Sequence, residues 1–111
     1  MREIRDVEAK TWWVYIIATA RGSLYTGITL EPERRFREHM ATFLGTPGAR
    51  GAKYFRSVRP LAIVYRQAFA NRGDATRCER AIKKMPLPQK RQLIDNDSNP
   101  ANRSDVFTSS P

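Results

Sequence analysis

The sequence predicts an α/β domain, a small and mainly antiparallel three-stranded sheet flanked by helices in the order β-β-α-β-α-α. Three observations carry that prediction. Trp12 to Ala18 is apolar, β-branched or aromatic at odd and even positions alike, as in a strand covered on both faces. A second strand-like run, Ser23 to Thr29, follows across a turn at Arg21-Gly22. Two later segments, after Pro32 and after Asp74, switch to helical spacing. With 111 residues, 41% of them hydrophobic, the chain is long enough for one core and too short for two ordinary domains.

The first strand should be central in its sheet, because both of its faces need cover. If the turn leaves Thr19 opposite Ser23, paired residues sum to an even number and Tyr15 and Tyr25 lie on one face as diagonal neighbours. A two-residue turn at Arg21-Gly22 would put them on opposite faces. Pro32 suits a first helical turn, and Phe36, Met40 and Phe43 recur at spacings of four and three, giving a helix from about Pro32 to Phe43. LGTPGARGAKYFRSVRP, with three Gly, two Pro and no acidic residue, reads as a loop holding one helical turn around Lys53 to Ser57.

Pro60 ends that loop and LAIVYRQAF resumes a strand. Asp74 is placed to N-cap a helix whose buried stripe is Ala75, Cys78, Ile82 and Met85, and Pro86 stops it. A shorter helix follows from about Leu87 to Ile94. DSNPANRSDVFTSSP has no periodicity and too few apolar residues to offset the entropy of ordering. Residues 96–111 are therefore expected to form a disordered tail and 1–10 a flexible N-terminus, with the folded domain at 11–95.

The formal charge is +9, from 20 Lys+Arg against 11 Asp+Glu, and the excess is mostly Arg, which grips phosphate in a bidentate fork. It is concentrated in the folded middle: Arg34 to Arg91 holds 15 basic and three acidic residues. A polyanionic partner is the expectation. The single Cys78 excludes an internal disulfide, and one His excludes a Cys/His zinc site, so a reducing cytoplasm fits best. The longest uncharged apolar run, Thr11 to Ala20, is half of the roughly 20 residues a membrane helix needs. MREIRDVEAK lacks the pattern of a signal peptide, so neither export nor a membrane partner is expected.

Arg35 and His39 are four apart and share a helix face, which is not that of Phe36, Met40 and Phe43. Taken alone, a solvated face is their ordinary explanation, and Arg34 with Glu38 makes an ordinary surface ion pair. Tyr15 and Tyr25 are, by type, more often core aromatics than catalysts. Glu79 sits in RCERAIKK among Arg77, Arg80, Lys83 and Lys84, where a lone carboxylate can merely balance charge. A hard cation such as Mg²⁺, however, often takes one or two protein carboxylates and completes its shell with water and phosphate oxygens. Phosphodiester hydrolysis needs a more basic water, charge relief on the phosphoryl oxygens and help for the leaving oxygen. Tyrosine, arginine, histidine and a metal-binding glutamate can supply all three.

Several motifs carry a resemblance. VY at Val14-Tyr15 and YTG at Tyr25-Thr26-Gly27, ten residues from tyrosine to tyrosine, are similar to the paired motif of the GIY-YIG nucleases. ERRFREH, Glu33 to His39, resembles that family's catalytic-arginine helix, and CERAIKK its glutamate helix. GAKYFRSVRPLAIVY, Gly51 to Tyr65, narrows the likeness to the small single-domain bacterial subfamily of uncharacterised proteins. The resemblance spans about Trp12 to Ile94.

It implies a metal-dependent endonuclease acting on DNA, with RNA the alternative polyanion, in repair or recombination. Tyr25, acting with the metal, positions or deprotonates the attacking water, and Tyr15 hydrogen-bonds in the same pocket. Arg35 binds the scissile phosphate, with His39 sharing proton transfer or phosphate contact, and Glu79 is the one protein ligand to Mg²⁺ or Mn²⁺. On that footing the two strands carry tyrosines because the hydroxyls are wanted, and the even register is required.

Trp13 stands where the motif has its first glycine, filling space against a helix. Ile28 stands where some members place a lysine near the phosphate, leaving that contact to Lys53. Asn96 loosely matches an asparagine that follows the glutamate helix. The basic loop adds Arg50, Lys53, Arg56 and Arg59, interleaved with Tyr54 and Phe55, as groups that grip phosphates and stack bases. Its ordinary explanation is a basic surface loop with buried aromatics. No segment is left for a separate specificity domain, so selectivity is expected to rest on substrate structure, single strands or a protein partner. A catalytically silent nucleic-acid-binding module on the same fold is the competing expectation.

Overall fold

The computed structural model describes residues 10–97. The expected terminal segments, apart from Lys10, Asn96 and Asp97, lie outside the described residues. Strands β1 (Trp12–Thr19), β2 (Leu24–Thr29) and β3 (Pro60–Phe69) form one antiparallel sheet in the order β2-β1-β3, so the doubly apolar strand is the central one. Helix α1 (Pro32–Leu44) follows β2, a 3-10 turn at Lys53–Arg56 precedes β3, and α2 (Arg72–Lys83) and α3 (Leu87–Asn96) close the described chain.

The sheet has a core on each side. Val14 and Ile16 of β1 pack with Tyr65, Ala75 and Ile82, supported by Cys78, Met85, Leu93 and Ile94 from α2 and beyond. Tyr15 and Ile17, of opposite parity, pack with Phe55 of the 3-10 turn and with Phe36 of α1 and Ile63 of β3. Alternation along one strand thus separates a mostly aliphatic face from an aromatic, tyrosine-bearing one. A register shift between Ile16 and Ile17 in the β1/β3 pairing brings Tyr65 opposite Ile16 and Ile63 opposite Ile17. That irregularity lets β3 serve both cores.

The turn puts Thr19 and Ser23 face to face, the Thr19 N–H donating to the Ser23 carbonyl at 3.1 Å, and the β1/β2 pairs sum to an even number throughout. The register is therefore the one that places both tyrosines on one face.

Several boundaries differ from expectation. The cap of α2 is Asn71, not Asp74: the helix starts at Arg72, and the Asn71 side chain accepts from the Asp74 N–H at 2.8 Å. Asp74 sits in the first turn instead, where a carboxylate favours the helix dipole. Strand β3 includes Pro60, since the first residue of an outer strand needs no ladder N–H. Helix α3 runs through Asn96, two residues past the expected end at about Ile94.

Candidate active site

Tyr15 points into the aromatic face and is buried, with Tyr25 diagonal to it and their ring centroids 6.3 Å apart. The residue paired directly with Tyr15 on β2 is Gly27. A Cβ there would lie 2.6 Å from the Tyr15 hydroxyl oxygen and 2.8 Å from the ring carbon that bears it. The glycine of the YTG run is thus required by space, because the tyrosine ring lies across it.

Helix α1 supplies the next two groups. His39 is fully buried, so the ordinary explanation of a solvated face does not hold for it: the imidazole lies within 5.4 Å of the Tyr25 ring and 4.5 Å of the Phe55 ring. Phe36, Met40 and Phe43, the expected buried stripe, are only half-buried. The physical reason is that His39, one turn from both Phe36 and Phe43, is the residue that meets the tyrosines and the 3-10 turn. Its Nε2 lies 2.9 Å from the Tyr15 hydroxyl and its Nδ1 accepts the Ala52 N–H at 3.1 Å.

Arg35, one turn earlier, donates from Nη1 to Glu38 at 2.6 Å and to the Arg50 carbonyl at 2.9 Å. Glu38 also meets Arg34 at 3.5 Å, so the expected Arg34–Glu38 pair exists but is the longer of two.

Glu79 arrives on α2, a helix packed against β1 and β2. Its largely shielded carboxylate has Lys83, four residues on, at 3.2 Å. The carboxylate acts electrostatically on both tyrosine hydroxyls, as does Arg35 with the opposite sign. Among the described residues no group of three His, Cys, Asp or Glu side chains could hold a metal ion. A cation here would rest on the Glu79 carboxylate with water and phosphate oxygens around it, a donor set that suits Mg²⁺ or Mn²⁺ and not zinc.

The electrostatics describe a resting site. Burial first, and then the Tyr25 hydroxyl, push the Tyr15 phenol far above its ordinary range. Burial also raises Tyr25, against the pull of Lys83 and Arg35. His39 is lowered to about 4, by burial first and by Arg35 second, with Glu38 opposing. Burial works against the Arg35 charge, yet the Glu38 carboxylate and Tyr15 hydroxyl hold its pKa above the usual value. Both tyrosines are thus neutral phenols and the histidine a neutral imidazole at pH 7.

The basic loop borders this cluster unevenly. Tyr54 stacks on Tyr25 with centroids 5.6 Å apart and bonds the Ser23 hydroxyl. Phe55 is buried, whereas the side chains of Arg50, Lys53 and Arg56 are exposed. Arg59 lies over the Phe43 ring at 5.6 Å, a cation–π contact. The sequence did not point to Lys83, although its spacing of four from Glu79 was the available signal, nor to the Ala52 N–H, which has no side-chain signature. Trp13, expected against a helix, is half-buried with the Arg66 guanidinium 5.8 Å over its ring.

The sequence profile of the GIY-YIG catalytic domain matches residues 11–92. The chain belongs to the GIY-YIG family. Among its relatives is a UPF0213 protein of Desulfotalea psychrophila, 40% identical over 89 residues that cover 80% of this chain and 76% of that protein. A UPF0213 protein of Pseudomonas aeruginosa is 40% identical over 85 residues, covering 77% of this chain and 75% of the other. The solution NMR structure of protein EF2693 from E. faecalis superposes with a TM-score of 0.52 at 31% identity, over 78% of this chain and 85% of that one. The family is one of nucleases, which implies a nucleic-acid substrate and generally a divalent metal. Among the described residues no helix is long and apolar enough to cross a membrane.

Proposed function

We propose that the chain is a metal-dependent endonuclease that hydrolyses phosphodiester bonds in DNA, acting in the cytoplasm in repair or recombination and selecting its target by strand structure. The observation that carries this is the convergence of five side chains from four elements: Tyr15 of β1, Tyr25 of β2, Arg35 and His39 of α1, and Glu79 of α2. A shared structural role does not account for a fully buried histidine bonded to a buried tyrosine beside a guanidinium and a carboxylate.

The reaction adds a water oxygen to phosphorus and breaks a phosphorus–ester oxygen bond, with one proton leaving the water and one reaching the departing oxygen. Tyr25 orients the water and, as the phenolate formed when its own proton passes to solvent, accepts the water's proton, while the departing oxygen takes its proton from bulk water. Arg35 has five N–H donors; Nη1 serves Glu38 and Arg50, the guanidinium also interacts with the Tyr15 hydroxyl, and the donors left over are offered to the scissile phosphate. Glu79 would hold the divalent cation, whose positive charge would favour a deprotonated water and the developing charge on the phosphate. Arg50, Lys53 and Arg56 hold flanking phosphates, and Tyr54 offers its outer face to a base.

The test is cleavage of end-labelled single-stranded and duplex DNA by the wild type and Glu79→Ala, each with Mg²⁺, with Mn²⁺ and with EDTA. Cleavage that requires both metal and Glu79 is the expected result. Cleavage by Glu79→Ala equal to wild type would remove the metal assignment. Tight DNA binding without cleavage in any condition would leave a catalytically silent binding module.

A further inference from the structure

One short stretch of backbone holds two side chains of the site. The Arg50 carbonyl accepts from Arg35 Nη1 at 2.9 Å, and two residues later the Ala52 N–H donates to His39 Nδ1 at 3.1 Å. Arg35 and His39 are themselves one turn apart on α1, so the stretch runs alongside the helix and meets each in turn.

A backbone N–H can only donate, so the ring nitrogen it meets must present a lone pair. In a neutral imidazole the proton then sits on Nε2, and the 2.9 Å contact is Nε2–H donating to the Tyr15 oxygen. Having accepted there, the Tyr15 hydroxyl directs its own proton elsewhere.

Gly51 allows the close approach. A Cβ at this position would lie 2.5 Å from the Glu38 carbonyl oxygen, 2.5 Å from Thr42 Oγ1 and 2.6 Å from the His39 Cα. Two of those three are backbone atoms of α1 and cannot swing aside. Any larger residue must lift the stretch off the helix, and with it the Ala52 N–H.

We infer that Arg50 to Ala52 act as a backbone strap, with Gly51 its positioning residue, which fixes His39 as the Nε2–H tautomer and aims Arg35, so that Tyr15 enters catalysis as a hydrogen-bond donor and not as a base. The catalytic consequence rests on the nuclease function proposed above; the tautomer does not. The strap also ties the loop bearing Lys53, Tyr54 and Arg56 to the two groups on α1. Nucleic acid gripped by that loop therefore bears on Arg35 and His39 through two hydrogen bonds.

The sequence has one histidine, so in tag-free protein labelled with ¹⁵N-histidine each imidazole nitrogen gives a single resonance. The groups facing the ring are Tyr15 and Tyr25 from the sheet and Arg35 and Glu38 from α1, and spectra at neutral pH avoid titrating any of them. The wild type is expected to show a protonated Nε2 and a bare Nδ1, and a protonated Nδ1 would overturn the strap without recourse to any variant. Gly51→Ala is expected to show mixed tautomers and cleavage slowed by about 10²-fold, with binding to uncleavable phosphorothioate DNA much less affected. A folded Gly51→Ala that keeps the pure Nε2–H form and wild-type cleavage would also overturn it. An inactive wild type showing the Nε2–H form would count against the nuclease function and still support the strap.

Discussion

Tyr15 and Gly27 face one another across the β1/β2 ladder, and the tyrosine ring occupies the space a Gly27 side chain would need. The pair couples register to chemistry, since only a glycine on the neighbouring strand lets the phenol lie flat and reach His39. Gly27→Ala should push the ring off His39, cost about 1–3 kcal/mol of stability through overpacking and slow cleavage by about 10²-fold. Urea unfolding and single-turnover cleavage would measure both. Tyr15→Phe keeps the ring and removes the oxygen, leaving His39 Nε2 unpaired in a buried site. It should cost about 1–3 kcal/mol and lower cleavage by at least about 10²-fold.

Glu79 and Lys83 separate electrostatics from stability. Their 3.2 Å pair is an i,i+4 contact whose lysine is half exposed, so Glu79→Ala should change unfolding free energy by no more than about 0.5 kcal/mol. The same variant should lose at least about 10³-fold in metal-dependent cleavage, because among the described residues no group of three His, Cys, Asp or Glu side chains could hold the ion in its place. Lys83 is the foremost of the charges that lower the Tyr25 pKa. Removing it by Lys83→Met disfavours the phenolate, so the rising limb of the pH–rate profile, where Tyr25 becomes a base, should move to higher pH. A profile that stays in place would mean that Tyr25 ionisation does not govern the rate.

What could be read from the sequence follows from how each feature is encoded. The two-sided apolarity of Trp12–Ala18 fixes a central strand, and Thr19 opposite Ser23 fixes the tyrosine face, because both depend on alternation alone. The burial of His39 was not legible: a 3.6 pattern that rewards Phe36, Met40 and Phe43 reads a histidine beside them as solvent-facing. Only a loop thirteen residues away, supplying the Ala52 N–H and the Phe55 ring, makes burial tolerable. The cap of α2 was not legible because Asn71 and Asp74 are both capping residues by type, and only the start of the helix at Arg72 decides between them. Backbone donors and the partners chosen by Glu38 and Lys83 belong to tertiary packing, on which periodicity is silent.

Acid should expose the buried imidazole. In the unfolded chain His39 titrates near about 6.5, whereas in the fold it is lowered to about 4. As pH falls the unfolded state takes up the proton first, so the stability from a neutral His39 is complete above about pH 6.5. It is lost progressively down to about pH 4, in total on the order of 3 kcal/mol. Glu33 and Glu38 have lowered pKa values, held chiefly by the side chains of Arg66 and Arg35. Their contribution is present above about pH 4.3 and is lost below it. Urea unfolding at pH 7, 5.5 and 4.5 should therefore show the wild type weakening between 6.5 and 4, and His39→Gln, which has no such proton to bind, staying nearly level over that window.

The loop arginines should divide into two kinds. Both Arg56 and Arg59 are exposed, but among the described residues Arg56 on the 3-10 turn has no ring beneath it, whereas Arg59 lies over the Phe43 ring. If the basic face touches six or more phosphates, DNA affinity should fall by about 10³-fold or more between 50 and 200 mM salt through counterion release. Arg56→Ala should then weaken binding to every sequence alike and reduce the slope of log affinity against log salt by about 1, leaving stability unchanged. Arg59→Ala should instead cost about 0.5–1 kcal/mol of stability through the lost cation–π contact and change the slope less. Fluorescence anisotropy across a salt series, paired with urea unfolding of both variants, distinguishes them. Equal slope changes with no loss of stability would mean that Arg59 leaves Phe43 to meet the nucleic acid.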